Sequence, residues 1–330
     1  MTTSPRTTTR APAFDPELQE VLRNADGHTI AVGIRPDTVL AERAAVEQRI
    51  VSYADIAADP RFELSARTAP GTGGNPPVEL LVATPATRRE GRPVLFVTHG
   101  GGLIFGNARY GLPGVLDLAA DLDALVVSVE YRLAPEHPFP AAHDDAWAAL
   151  LWTVREAAEL DADPASVVLF GGSAGANLAA GLALRARDTG EVTPRGQLLI
   201  YPMLDDRNDT PSARQMHGIG VWDDVSNHTA WESVRGPAGR ELPAYAAPAR
   251  ADSLADLPPT YLEVGSAETF RDETVTYAQR IWSCGGDAEL HVWPGAFHGF
   301  DLFAPTSTVA QRARTARREW LHRLLRDDRQ

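Results

Sequence analysis

The sequence predicts an α/β protein built on a mostly parallel sheet that helices cover on both faces. Three observations predict this class: apolar, β-forming runs alternate with helical patterns, the runs are continuously apolar, and two of them end in glycine-rich turns. Continuous apolar strands that alternate with helices are typical of parallel sheets buried on both faces. A chain of 330 residues is long enough for one such domain with an added lid.

The elements are expected in the following order. Helix-like apolar spacing occurs in Pro16–Asn24 and Val39–Arg49, and again in Ala141–Glu159 and Ala174–Arg187. The expected strands are Val78–Thr84, Val94–Thr98, Leu125–Tyr131, Val167–Phe170, Gln197–Tyr201, Thr260–Val264 and Glu289–Trp293. Met1–Arg10 has no apolar h-region, so we expect no secretory signal there, and the segment is expected to be a disordered tail.

One segment interrupts this alternation. Asp205–Pro258 contains no good strand pattern, and its aromatic residues lie among Asn, Asp, Gly and Pro. A structureless loop of that length is uncommon inside a compact domain. We therefore expect a helical insertion that packs over the carboxyl ends of the strands, where open α/β sheets bind ligands.

Composition excludes several classes of function. The net charge of −13 argues against nucleic acid and anionic membranes as partners. Every basic residue is arginine, which excludes Schiff-base lysine chemistry, a Walker-type phosphate lysine and a Ser–Lys dyad. Cys284 is the single cysteine, and no apolar run approaches membrane-spanning length. We expect a soluble, cytoplasmic protein without an intrachain disulfide.

The segment Gly171-Gly172-Ser173-Ala174-Gly175 matches the pattern G-x-S-x-G. It follows an apolar strand and precedes a helical pattern, the context in which this pattern presents a serine on a sharp strand-to-helix turn. Flanking glycines suit such a turn because it leaves little room for side chains. Ser173 is therefore predicted to be a nucleophile.

A second glycine motif, His99-Gly100-Gly101-Gly102, also follows an apolar strand. A backbone without side chains can aim its N–H groups at a developing oxyanion. One motif thus supplies a nucleophile and the other supplies charge stabilisation, a combination that indicates acyl-transfer chemistry. His99 itself is expected to brace the loop.

A serine nucleophile needs a base, and that base needs an acid to orient it. His298 lies on a glycine-flanked loop just past the last expected strand and is the predicted base. The loop after Thr260–Val264 offers Glu268 at the strand end and Asp272 in the first turn of the next helix. Glu268 is preferred, and Asp272 is the alternative. The scattered histidines form no metal-ligand pattern, so no metal and no cofactor are expected.

These motifs resemble those of the bacterial hormone-sensitive-lipase-like esterases, also called family IV, of the α/β-hydrolase superfamily. The resemblance runs from about Val94 to Phe300. Besides the two glycine motifs, it rests on the block Tyr131–Ala142 (Tyr-Arg-Leu-Ala-Pro-Glu-His-Pro-Phe-Pro-Ala-Ala), on Tyr201-Pro202-Met203-Leu204 and on His298-Gly299-Phe300.

The resemblance implies the α/β-hydrolase fold with Ser173 as nucleophile and His298 as base. It also implies that the backbone amides of Gly101, Gly102 and Ala174 are the oxyanion donors. The implied division of the chain is a disordered tail and N-terminal cap helices (1–50), a catalytic domain (51–204 and 259–330) and a cap insertion (205–258).

The sequence departs from the family pattern at two positions. Gly172 stands where the family usually has an aspartate, and Glu268 aligns with the position of the family's triad aspartate. The first position is outside the triad. Glutamate serves as the acid in other α/β-hydrolases, so Glu268 is compatible with the same chemistry.

We therefore expect a serine carboxylesterase that hydrolyses short-to-medium acyl esters. Phe105, Trp222 and Trp231 are the candidate substrate-binding residues of a confined apolar pocket, and a homodimer is a candidate assembly. One alternative is an amidase, acyltransferase or dehydratase that uses the same triad. The other is a non-catalytic relative that binds small molecules.

Overall fold

The computed structural model describes residues 10–24, 33–87 and 89–326. Its strands are β1 (Phe62–Ala69), β2 (Val78–Pro85), β3 (Arg92–Thr98), β4 (Leu125–Glu130), β5 (Ala162–Gly172), β6 (Gly196–Ile200), β7 (Thr260–Gly265) and β8 (Ala288–Trp293). Its helices are α1 (Pro16–Asn24), α2 (Val39–Glu47), α3 (Tyr53–Ala57), α4 (Leu112–Leu122), α5 (Ala141–Arg155), α6 (Ala174–Thr189), α7 (Pro211–Gln215), α8 (Asp224–Arg235), α9 (Arg271–Ser283), α10 (Phe300–Phe303) and α11 (Thr308–Arg326).

The strands form one sheet in the order β1-β2-β4-β3-β5-β6-β7-β8. β1 pairs antiparallel with β2, and β2 with β4, whereas all other neighbours are parallel. The step from β3 to β4 runs opposite to the later steps, so right-handed crossovers place α4 on one face and α5, α6 and α9 on the other. Arg318 of α11 pairs with Asp121 of α4 at 2.5 Å, which places α11 on the face of α4. The predicted fold class is confirmed.

All seven expected strands are present, with ends that differ by a few residues. β1 is an additional strand that the apolar patterns did not indicate. It lies at the edge of the sheet, and most of its side chains are at least partly exposed. An edge strand of this kind needs little apolar sequence, because only part of it is buried. The helical pattern expected over Ala141–Glu159 ends earlier, at Arg155, and a short 3₁₀ turn follows at Ala158–Leu160.

The segment 205–258 lies between β6 and β7. It contains α7, α8 and a 3₁₀ turn at Pro248–Arg250, and it has no strand. The carboxylate of Asp206, with 1% of its side chain exposed, binds Arg235 at 2.6 Å and Arg250 at 2.5 Å. These two ion pairs attach the last turn of α8 and the 3₁₀ turn to the start of the insertion.

The tail expected at Met1–Arg10 lies outside the described residues, apart from Arg10. Within the described part of the chain, none of the helices combines the length and the apolar character needed to cross a membrane.

Candidate active site

Ser173 lies on the turn between β5 and α6. Its backbone has φ 59° and ψ −121°, a conformation that is unfavourable for a residue with a side chain. The turn is held because the Ser173 N–H donates to the carbonyl of Ile200 at 2.8 Å. Gly175 permits the close approach of β3, the neighbouring strand, since a Cβ there would lie 2.0 Å from the carbonyl oxygen of Thr98.

The loop after β3 turns sharply beside this serine. Gly101 has φ 112° and Gly102 has φ 63°, backbone conformations that favour glycine. A Cβ at Gly101 would lie 2.1 Å from the carbonyl oxygen of Phe105. Within the described ranges, the amides of Gly101, Gly102 and Ala174 donate no hydrogen bond to another protein group. Three N–H groups therefore stay free to bind an acceptor.

His99 holds the loop after β3 in place. Its ring stacks on Tyr131 with 4.0 Å between centroids, and its Nδ1–H donates to the carbonyl of Gly100 at 2.8 Å. The Tyr131 hydroxyl donates to the carbonyl of His99 at 2.6 Å. Burial lowers the pKa of His99 to about 4, so the ring is neutral near pH 7. These are the contacts of a structural brace.

His298 reaches Ser173 from the loop between β8 and α10. Its Nε2 lies 2.9 Å from the Oγ of Ser173, and its Nδ1 lies 3.1 Å from Oε1 of Glu268. Since a carboxylate only accepts hydrogen bonds, Nδ1 carries the hydrogen and the lone pair of Nε2 faces the serine. The structure thus brings Ser173, His298 and Glu268 together in one chain of hydrogen bonds.

Glu268 is fixed by a second hydrogen bond. Its Oε2 accepts the N–H of Gly265, at the end of β7, at 2.9 Å, and only 1% of the residue is exposed. The structure places Asp272 elsewhere. Its carboxylate accepts the N–H of Ser212 at 2.8 Å and the Nε–H of Arg271 at 2.7 Å, so it joins α7 of the insertion to the first turn of α9.

A cavity of about 420 Å³ opens at Ser173, and we call it the Ser173 cavity. Phe105 and Trp222 line it. Trp231 does not: it is completely buried in the interior of the protein and is absent from the cavity wall. Its side chain packs with the apolar core instead, because it lies on the inner side of α8. That prediction was wrong.

A buried charge network behind His298 was not predicted from the sequence. The ring of Tyr201 meets the His298 ring edge to face at 4.7 Å, and the Tyr201 hydroxyl donates to Asp301 at 3.0 Å. Asp301 pairs with Arg317 at 2.6 Å, whose Nε–H donates to Glu263 at 2.9 Å. Burial alone would raise the pKa of Asp301, but the Arg317 guanidinium holds it below its usual value.

Two other histidines contact acidic side chains and do not line the Ser173 cavity. His291 of β8 lies 2.8 Å from Glu289, and His217 lies 2.8 Å from Asp224. Within the described residues, no group of three or more His, Cys, Asp or Glu side chains is arranged to hold a metal ion.

Comparisons with known proteins identify the family. A family model described as alpha/beta hydrolase fold matches residues 95–302. Carboxylesterase NlhH of Mycobacterium tuberculosis is 34% identical over 269 residues, which cover 77% of this chain and 80% of that protein.

Solved structures of esterases agree with this match. A bacterial heroin esterase superposes with a TM-score of 0.87 at 36% identity, covering 95% of this chain and 98% of that one. Esterase LipW from Mycobacterium marinum superposes with a TM-score of 0.86 at 33% identity, covering 98% of this chain and 99% of that one. The chain therefore belongs to the hormone-sensitive-lipase-like (family IV) esterases of the α/β-hydrolase superfamily.

Proposed function

We propose that this carboxylic ester hydrolase cleaves short-to-medium acyl esters with Ser173 as nucleophile, His298 as base and Glu268 as acid. The observation that carries the proposal is the 2.9 Å contact between the Oγ of Ser173 and the Nε2 of His298. The contact of Nδ1 with Glu268 at 3.1 Å continues the chain of hydrogen bonds. A serine, a base and an orienting acid in this sequence are the recurring arrangement of acyl transfer.

In the first half of the reaction, Oγ of Ser173 attacks the ester carbonyl carbon while Nε2 of His298 takes the hydroxyl proton. The carbonyl oxygen becomes an oxyanion that accepts hydrogen bonds from the amides of Gly101, Gly102 and Ala174. One such donor is worth on the order of 3 kcal/mol of transition-state stabilisation. The intermediate collapses to an acyl-enzyme, and the leaving alcohol takes the proton from Nε2.

In the second half, His298 takes a proton from water, and the resulting hydroxide attacks the acyl-enzyme carbonyl. Collapse of this intermediate returns the proton to Oγ and releases the carboxylic acid. Glu268 keeps the proton on Nδ1 throughout and stabilises the imidazolium that forms in each half. We assign the insertion 205–258 and the N-terminal helices to the cap, since Trp222 and Val46 lie in the wall of the Ser173 cavity.

The size of the Ser173 cavity supports small substrates. Its volume of about 420 Å³ is near the lower end of the range for small-molecule sites, roughly 300 to 1,000 Å³. We expect kcat/KM on p-nitrophenyl esters to be highest for short and medium acyl groups. A rise that continues beyond roughly a decanoyl group would contradict this substrate range.

Gly114 offers a variant for the same experiment. It lines the cavity from α4, and a Cβ there would meet no atom within 4 Å. A side chain can therefore begin at this position without a clash, and we expect Gly114→Phe to fill cavity space and to reduce kcat/KM more for octanoyl than for acetyl esters. Equal losses for both esters would show that acyl chains do not occupy this part of the cavity.

A fluorophosphonate probe tests the nucleophile directly. It should label the protein, and Ser173→Ala should abolish labelling. Ser166→Ala is the matched control, because Ser166 lies on β5, the strand before Ser173, and its hydroxyl donates to Asp163 at 2.7 Å. An unlabelled wild-type protein, or full labelling of Ser173→Ala, would overturn the proposed mechanism.

A further inference from the structure

A second cavity, of about 270 Å³, lies between α5 and α6, and we call it the His143 cavity. Its walls are largely apolar, with Phe139, Leu178 and Leu182 among them, and Tyr245 of the insertion closes one side. It shares no lining residue with the Ser173 cavity. The proposed reaction uses none of its residues.

The protonation of His143 follows from its neighbour Asn177. The side-chain N–H groups of Asn177 donate to the carbonyls of Met203 at 3.0 Å and of Ala246 at 2.8 Å, which fixes the orientation of the amide. Its oxygen therefore faces Nε2 of His143, at 3.3 Å. Because an amide oxygen only accepts, Nε2 carries the hydrogen and Nδ1 is left as an acceptor.

This acceptor is buried and unused. His143 is 8% exposed, and its Nδ1 has no hydrogen-bond partner among the residues that the structure describes. Burial lowers the pKa of His143 to about 4, so the ring is neutral near pH 7. A buried acceptor without a donor costs free energy, and a ligand that supplies the donor recovers it.

The charged residues of the His143 cavity are already compensated. Asp144 accepts from the Asn75 amide at 3.1 Å and lies 3.5 Å from Arg185. The Arg185 guanidinium stacks over the Trp147 ring at 4.5 Å. The cavity therefore offers apolar surface and one neutral acceptor, and no unpaired charge.

We propose that the His143 cavity binds a small uncharged alcohol or phenol, with the ligand hydroxyl donating to Nδ1 of His143. Its volume, below the range of drug-sized sites, suits a single ring or a short chain. The Phe139 ring meets the His143 ring edge to face at 5.2 Å and provides an apolar wall beside the acceptor.

Phenol and anisole are the matched probes, since anisole keeps the ring and lacks the donor. In ¹⁵N NMR of the full-length protein at pH 7, phenol should shift the Nδ1 resonance of His143, assigned by its loss in His143→Gln. We expect phenol to bind roughly 3- to 10-fold more tightly than anisole, the range for one net hydrogen bond. Equal affinities, or no shift of that resonance with phenol, would overturn the proposal.

Two variants locate the site. Leu182→Trp should fill the His143 cavity and abolish the shift that phenol causes at His143, whereas Gly114→Phe, in the Ser173 cavity, should leave it unchanged. Phenol that still binds Leu182→Trp and moves the His143 resonance would contradict the assignment. If Leu182→Trp does not fold, the comparison of phenol with anisole on the wild type still decides the proposal.

Discussion

At the scale of single residues, both carboxylate oxygens of Glu268 are committed, one to Nδ1 of His298 and one to the N–H of Gly265. Glu268→Gln keeps the shape of the side chain but removes the charge that, in the proposed mechanism, stabilises the imidazolium and fixes its tautomer. We expect kcat on p-nitrophenyl butyrate to fall by about 10² to 10⁴, the scale on which triad acids act. Steady-state kinetics measure this loss.

Asp272→Asn is the matched control for that experiment. Because Asp272 bonds Ser212 and Arg271 rather than His298, its loss should change kcat by less than about tenfold. Should Asp272→Asn lose activity as severely as Glu268→Gln, the assignment of the acid would have to be reversed.

The residue predictions from sequence that agree with the geometry are those that a local motif defines. Ser173 lies in a glycine turn and His298 on a glycine-flanked loop, and both patterns are short. Trp231 has no such local signal: polar neighbours surround it in the sequence, and its burial depends on how α8 packs against the core. The sequence does not single out His143 for the same reason, since Asn177, 34 residues away, determines which ring nitrogen of His143 is left without a hydrogen-bond partner.

At the scale of elements, the strand-to-helix junction at Ser173 requires glycine at some positions and merely contains it at others. A Cβ at Gly175 would lie 2.0 Å from the carbonyl oxygen of Thr98, whereas one at Gly172 would lie 3.5 Å from the Tyr201 ring. We expect Gly175→Ala to lower the free energy of unfolding by at least about 2 kcal/mol, as overpacking against backbone does. Gly172→Ala should change it by less than about 0.5 kcal/mol. Urea unfolding distinguishes the two, and a tolerated Gly175→Ala would refute this account of the junction.

The insertion is attached by Asp206, whose carboxylate binds two arginines. Removing its charge in Asp206→Asn leaves Arg235 and Arg250, which are 17% and 31% exposed, without their anion. We expect a loss of roughly 1–3 kcal/mol in urea unfolding, less than for a fully buried pair because the arginines retain contact with water. Asp117→Asn, whose partner Arg61 is 46% exposed, should lose less than about 1 kcal/mol. Equal losses would mean that Asp206 does not hold the insertion.

The pattern of apolar residues predicted the interior strands of the sheet but not its edge strand β1. β3 is buried along its whole length and reads as a continuous apolar run, which is why the parallel centre of the sheet could be predicted. β1 buries chiefly its two ends, so its sequence carries little apolar signal. The segment that contains α7 and α8 was predicted to be helical, but the bounds of its helices were not, because its many Gly, Pro and Asn residues obscure helical spacing.

At the scale of the whole molecule, two clusters of buried polar groups connect elements around the candidate active site that are distant in the sequence. Arg317 of α11 joins Glu263 of β7 and Asp301 of α10, and Asn177 joins α5, α6 and the insertion. No local sequence pattern predicts these clusters, because the residues that bond each other are tens of positions apart in the chain. They are satisfied only once the sheet has formed, and a satisfied buried network favours one arrangement of the elements.

Two buried histidines also determine how stability depends on pH. Burial lowers the pKa of His99 and of His143 to about 4, from 6.5. Between these values the unfolded chain binds more protons than the folded one, so the free energy of unfolding falls as the pH drops from about 6.5 to about 4. Each histidine contributes a slope of up to about 1.4 kcal/mol per pH unit.

The variant His143→Gln isolates one of these contributions. Burial raises the pKa of Glu273, which acts in the opposite sense, but that effect is common to both proteins and cancels in their difference. We expect urea unfolding at pH 7, 6 and 5 to show a slope for His143→Gln that is smaller by up to about 1.4 kcal/mol per pH unit. An unchanged slope would mean that His143 is protonated in the folded protein as readily as in the unfolded chain, and would remove the neutral acceptor on which the proposed alcohol site depends.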